Sequence, residues 1–216
     1  MFAKEAEKIK SLLEWEIKDT NIIPYSDTKK RIHYVDHQVF SNAIFYCHCL
    51  LAEKVHFIFN DCMAVTDAII GANLSDEEVL DLLNVLVIIS EWYADDILYY
   101  LSYHTETKEQ VVNLIISKET LLREALTVVK ALNEVPFWVL LRAGLFIAQG
   151  VRYDFIKSYE FFPPEIGEII EAFSNDTEHY ISLQTVESLI NNLLKIKYKH
   201  ISVQLIPDGI IIQANK

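Results

Sequence analysis

Only five of the 216 residues are glycine, and strand-like alternation is concentrated at the C-terminal end. From residue 2 to about 199, apolar residues recur at helical spacing. Residues 200–206 (His-Ile-Ser-Val-Gln-Leu-Ile) and 210–214 (Ile-Ile-Ile-Gln-Ala) then flank Pro207-Asp208-Gly209, a strong turn signal. The pattern predicts a mainly α chain: a multi-helix bundle with a C-terminal helix plus β-hairpin. The candidate boundary is Ser174-Asn175-Asp176-Thr177. It separates a helical body, 1–174, from a helix-and-hairpin tail, 175–216, expected to pack on the body as one domain.

Phe2, Ala6, Ile9, Leu12, Leu13 and Ile17 share one face, predicting an amphipathic helix over 2–19. Asp27 or Thr28 caps an expected second helix through His33, Val35 and Phe40 toward Ala52. A further helix reaches Ile70 and stops at Gly71-Ala72-Asn73. Ser75-Asp76-Glu77-Glu78 is a capping box, in which the serine hydroxyl and glutamate carboxylate satisfy backbone donors of the first turn. It opens the longest predicted helix, 76–103. Others are expected over 109–132, 137–149, 164–173 and 182–199. The segment 137–149 is apolar all round except for Arg142 and reads as a central helix.

Half of the chain is hydrophobic, 51%, and its formal net charge is −12. Nucleic-acid binding draws its affinity from phosphate neutralisation. The dense basic patches, Lys29-Lys30-Arg31 and 195–200, are short and lie near predicted helix ends, where cations are ordinary. The charge favours a protein partner, basic in character, over nucleic acid or an anionic membrane. No segment supplies the roughly 20 apolar residues of a membrane span. Cys47, Cys49 and Cys62 are odd in number and follow no secretory signal. They predict free thiols in a reducing cytoplasm.

His33-Tyr34-Val35-Asp36-His37 is the sharpest local pattern. On a helix, histidines four apart share a face and could reach one metal ion. The pentad resembles the inverted zinc-hydrolase motif, with Asp36 where that motif carries glutamate. The resemblance implies His33 and His37 as metal ligands and Asp36 as base. Arg31 and His37 also make an Arg-x5-His spacing that resembles HEPN ribonucleases, which are small helical bundles. That resemblance implies RNA cleavage, which an acidic surface opposes. No third ligand is visible beside either histidine, so no metal and no cofactor is expected. Cys49, Glu53 and His56 share a helix face, but the Glu-x-x-His spacing occurs once, where di-iron bundles use two.

Glu91, Asp95 and Tyr99 lie on the long predicted helix. A buried Arg142 needs a carboxylate partner, so these four residues form a candidate polar pocket, or else an internal ion pair. In the hairpin, Ile210, Ile211 and Ile212 make the second strand apolar on both faces. They are candidate interaction residues, covered by the body, by a third strand such as 21–25, or by a second copy in a homodimer. No catalytic residue is assigned. The functional expectation is a non-enzymatic interaction factor, an acidic inhibitor, an immunity-like protein or an adaptor. A metal-dependent hydrolase or oxygenase using His33 and His37, and a small-molecule-binding helical domain, are the alternatives.

Overall fold

The computed structural model describes residues 14–20, 25–27, 30–36, 62–102, 120, 135–153, 164–175, 182–206 and 209–215, including the backbone alone at 25–26, 35–36, 62–64 and 97–102. Five long helices and two small sheets make these residues mainly helical, with a C-terminal hairpin.

The N-terminal segments depart from the expected helices. Strands β1 (Glu16–Thr20), β2 (Tyr25–Asp27) and β3 (Ile32–Asp36) form one sheet in the order β1-β3-β2. β1 runs parallel to β3, with Glu16 opposite Ile32. β2 is antiparallel to β3, with Asp27 opposite Ile32. The local reason is a two-residue period. Trp15 and Ile17 are half-buried while Glu14, Glu16 and Lys18 are exposed, and a strand alternates faces in this way. Ile32, Tyr34 and Val35 are β-branched or aromatic and favour a pleated surface. Arg31 adopts a positive φ of 56°, which interrupts any helix there. Asp27 Oδ1 accepts from Lys30 N–H at 2.9 Å and tightens the β2–β3 turn. The expected helix over 2–13 and the continuation beyond 36 lie outside the described residues, as does 109–132 except Thr120.

The other elements follow the predicted pattern closely. α1 is Cys62–Gly71 and α2 is Asp76–Ser102. Asn73, at φ 51°, turns the chain between them. The capping box forms: Ser75 N–H donates to Glu78 Oε2 at 2.7 Å, and Glu78 N–H donates to Ser75 Oγ at 3.3 Å. α3 is Phe137–Arg152, entered through Pro136. α4 is Pro164–Ser174. α5 is Leu183–Lys197, capped by a reciprocal Ser182–Thr185 pair. β4 (Ile201–Ile206) and β5 (Gly209–Ala214) form the hairpin, with Val203 opposite Ile212.

α2 packs against α3 and α5, α3 against α4, and α4 against α5. The hairpin lies over this assembly, with α5 against β4 and α1 against β5. One buried cluster runs from Leu82 and Trp92 on α2, through Leu141 and Leu145 on α3 and Phe173 on α4, to Ile201, Val203, Ile210 and Ile212. The hairpin thus shares the core of the helices. α3 and α4 meet at Gly144, where an added Cβ would lie 2.7 Å from Ile169 Cβ. Only a glycine lets the two backbones approach this closely.

Candidate functional site

α2 is the acidic spine of the molecule. Its C-terminal half faces α3, whose only polar side chains are Arg142, Gln149 and Arg152. Arg142 Nη1 donates to Glu91 Oε2. Gln149 Nε2 donates to Asp95 Oδ2 at 2.8 Å. Arg152 Nη2 donates to Asp96 Oδ2 at 2.7 Å, and Tyr153 Oη donates to Asp96 Oδ1 at 2.8 Å. The Arg152 guanidinium also lies 4.8 Å over the Trp92 ring, adding cation–π attraction. Asp95, Asp96 and Gln149 are buried, whereas Arg142 and Glu91 keep partial solvent contact. Burial raises the Tyr153 pKa well above the ordinary phenol value, and the adjacent Asp96 charge raises it further.

The N-terminal half of α2 makes a second cluster with the end of α5. Lys197 Nζ donates to Glu77 Oε1 at 2.6 Å and to Asp81 Oδ2 at 2.8 Å. Tyr198 Oη donates to the same Asp81 oxygen at 2.6 Å. His200 Nε2 lies 2.7 Å from Glu78 Oε1, which ties the start of the hairpin to the α2 capping box. Burial opposes the Lys197 charge, but hydrogen bonds to Asp81, Glu77 and Tyr198 outweigh it and hold its pKa above the usual lysine range. Burial and the bond to Asp81 push the Tyr198 phenol up to about 12. Both clusters oppose acid to cation or donor, so their geometry describes mutual charge compensation between helices.

The sequence-predicted site residues are separated by the fold. Glu91 and Arg142 meet directly. Asp95 is on the same helix but bonds to Gln149 instead of Arg142. Tyr99 belongs to α2, and its side chain lies outside the described residues. His33 is on β3, fully buried and stacked on Trp15 with ring centroids 5.1 Å apart. This corrects the helical basis of the His33–Asp36–His37 metal motif. At His33 the helical spacing on which that motif rests does not apply. Asp36 ends β3, and His37 lies outside the described residues. Arg31 precedes a strand, so the helical setting implied by the HEPN resemblance is likewise absent there. Cys47, Cys49, Glu53 and His56 lie outside the described residues. Among the described residues, no group of three His, Cys, Asp or Glu side chains is placed to hold a metal ion, and no helix is long and apolar enough to cross a membrane.

Sequence reading missed Gln149, Arg152 and Tyr153. The signal was present: Arg142 and Gln149 are seven apart and therefore on one helix face, in an otherwise apolar helix. The 195–200 patch spans the end of α5, as its sequence suggests. The fold turns Lys197, Tyr198 and His200 onto α2, leaving Lys195 and Lys199 exposed.

Two features face outward. An open groove of about 300 Å³ lies between α4 and α5, lined by Glu168, Glu171, Asn175, Asn192 and Lys195 over Ala172 and Ile196. Of the three hairpin isoleucines, Ile210 and Ile212 are buried and Ile211 is 40% exposed. No family model, curated protein or solved structure matches this chain.

Proposed function

We propose that this chain is a non-enzymatic interaction factor, an inhibitor, immunity-like or adaptor protein, and that it binds a basic protein partner. The supporting observation is the α4 surface. Glu165, Glu168 and Glu171 are exposed on successive turns, and none of them forms an ion pair among the described residues. Two of them line the groove against α5. The interior acids, by contrast, are engaged by Arg142, Gln149, Arg152, Lys197 and Tyr198. A surface whose carboxylates, beside Ala172 and Ile196, form no ion pair among the described residues favours a cationic protein through electrostatic steering and rim contacts.

The test is purification of the chain with its partner from the native cell, followed by charge reversal. Glu168→Lys with Glu171→Lys should weaken the complex at least tenfold and reduce its salt dependence, with the melting temperature of the free protein unchanged. An isolated partner that binds the double variant as tightly as the original removes the groove from the proposal. A partner that carries no basic surface removes the charge argument.

A further inference from the structure

We infer that the outer edge of β5 pairs with the same edge of a second copy of this chain, forming a continuous sheet β4-β5-β5′-β4′. The hydrogen-bond phase of the hairpin identifies that edge. Asn215 N–H donates to His200 O at 2.9 Å. In the same register the exchanging pairs are Ser202/Gln213, Gln204/Ile211 and Ile206/Gly209. The alternate pairs, Ile201/Ala214, Val203/Ile212 and Leu205/Ile210, therefore turn their N–H and C=O groups away from the partner strand.

The two edges of the hairpin are treated differently. On β4, among the described residues, α5 and its terminus take four of the six outward groups. Ile201 N–H donates to Tyr198 O at 3.4 Å. Asn191 donates to Val203 O at 2.7 Å and accepts from Val203 N–H at 2.9 Å. Glu187 Oε2 accepts from Leu205 N–H at 2.7 Å. This edge is closed to further pairing. On β5, against which α1 packs, the outward groups of Ile210, Ile212 and Ala214 meet no hydrogen-bond partner among the described residues. Such an edge is a template for another strand.

A second copy fits this edge for three reasons. First, an antiparallel two-fold axis at Ile212 sets Ile212 opposite Ile212′ and Ile210 opposite Ala214′. All the outward groups of both strands are then satisfied by one self-complementary register. Second, the side chains of Ile210 and Ile212 are anchored in the core, so β5 presents one fixed set of outward groups and cannot flip its faces. Third, β5 reads Gly-Ile-Ile-Ile-Gln-Ala and carries no charge. In a chain of net charge −12, two copies meet there without opposing like charges. On the outer face the exposed Ile211 falls beside Gln213′, which covers it.

The full chain is tested by sedimentation equilibrium over a concentration series. The unaltered protein should reach twice the chain mass. Ile211→Lys with Gln213→Lys sets like charges opposite each other across the new junction and should return it to the monomer. Ile211→Lys with Gln213→Glu sets opposite charges there and should restore the dimer. Both positions are exposed, and melting curves should match the unaltered protein. Amide exchange of the unaltered protein gives a second readout: protection at Ile210, Ile212 and Ala214 should rise with concentration. A unaltered chain that stays monomeric overturns the inference. So does a Lys/Lys variant that stays dimeric, a Lys/Glu variant that stays monomeric, or exchange at Ile212 that is independent of concentration.

Discussion

The carboxamide of Asn191 holds the backbone of Val203 from both sides, donating to its carbonyl at 2.7 Å and accepting from its N–H at 2.9 Å. A helix side chain here does what a neighbouring strand would do. Asn191→Ala should cost about 1–3 kcal/mol, because a half-buried donor and acceptor lose their partner together. Asn191→Asp keeps the acceptor but sets a carboxylate against the Val203 carbonyl, and should recover none of the loss. Urea denaturation of the three proteins measures this.

Arg152 and Arg142 make ion pairs of unequal depth. The Arg152–Asp96 pair has side-chain exposures of 17% and 6%, against 30% and 16% for Arg142–Glu91. Arg152→Met leaves a buried carboxylate without its cation and should cost about 3–5 kcal/mol. Arg142→Met should cost about 1–2 kcal/mol, since water reaches Glu91. Equal losses in thermal or urea unfolding would show that depth does not rank these pairs.

Gly144→Ala should destabilise by about 1–3 kcal/mol through overpacking. The obstacle is the branched Ile169 side chain, whose Cβ lies 2.7 Å from the added carbon and cannot rotate away. Combining the change with Ile169→Ala should give less destabilisation than the sum of the two single variants. A double-mutant cycle with no coupling would show that α3 and α4 do not meet there.

Alkaline pH should unfold the α2–α5 contact early. A phenol whose pKa rises on folding holds its proton more tightly in the folded chain. The contribution of Tyr198 is complete below its ordinary value of 10.0 and is lost as pH rises toward about 12. Tyr153 and Lys197 are raised too and act in the same direction. Tyr198→Phe should remove a late step from the phenolate absorbance titration and flatten the stability decline across that window. A step lost from the ordinary range near 10.0 instead would show that the phenol is not held by Asp81.

Local pattern alone was sufficient where the chain carries its own instructions. The Ser75–Glu78 capping box, the boundaries of α2, the apolar run of α3 and the Pro207–Gly209 hairpin all rest on neighbouring residues. In each case propensity, capping and periodicity agree. The N-terminal sheet escaped notice for the opposite reason. Trp15–Ile17 and Ile32–Tyr34 are short enough to satisfy either period, and pairing between β1 and β3 joins residues 16 apart in sequence, Glu16 with Ile32. That pairing belongs to neither segment by itself.

The polar contacts divide in the same way. The sequence determined that Arg142, alone in an apolar stretch, needed a carboxylate, because a charge partly withdrawn from water is costly to leave unpaired; the structure leaves it half-buried. Only the tertiary structure decided that Glu91 takes it, that Asp95 turns to Gln149, and that Asp96 takes Arg152 and Tyr153. The four contacts span 51 to 57 residues. They depend on how α2 and α3 pack in the core that holds Trp92 and Leu141, and not on any local signal. The hairpin shows the same limit: its strands are written in sequence, but that α5 takes outward groups of β4 is a matter of where the helices come to rest.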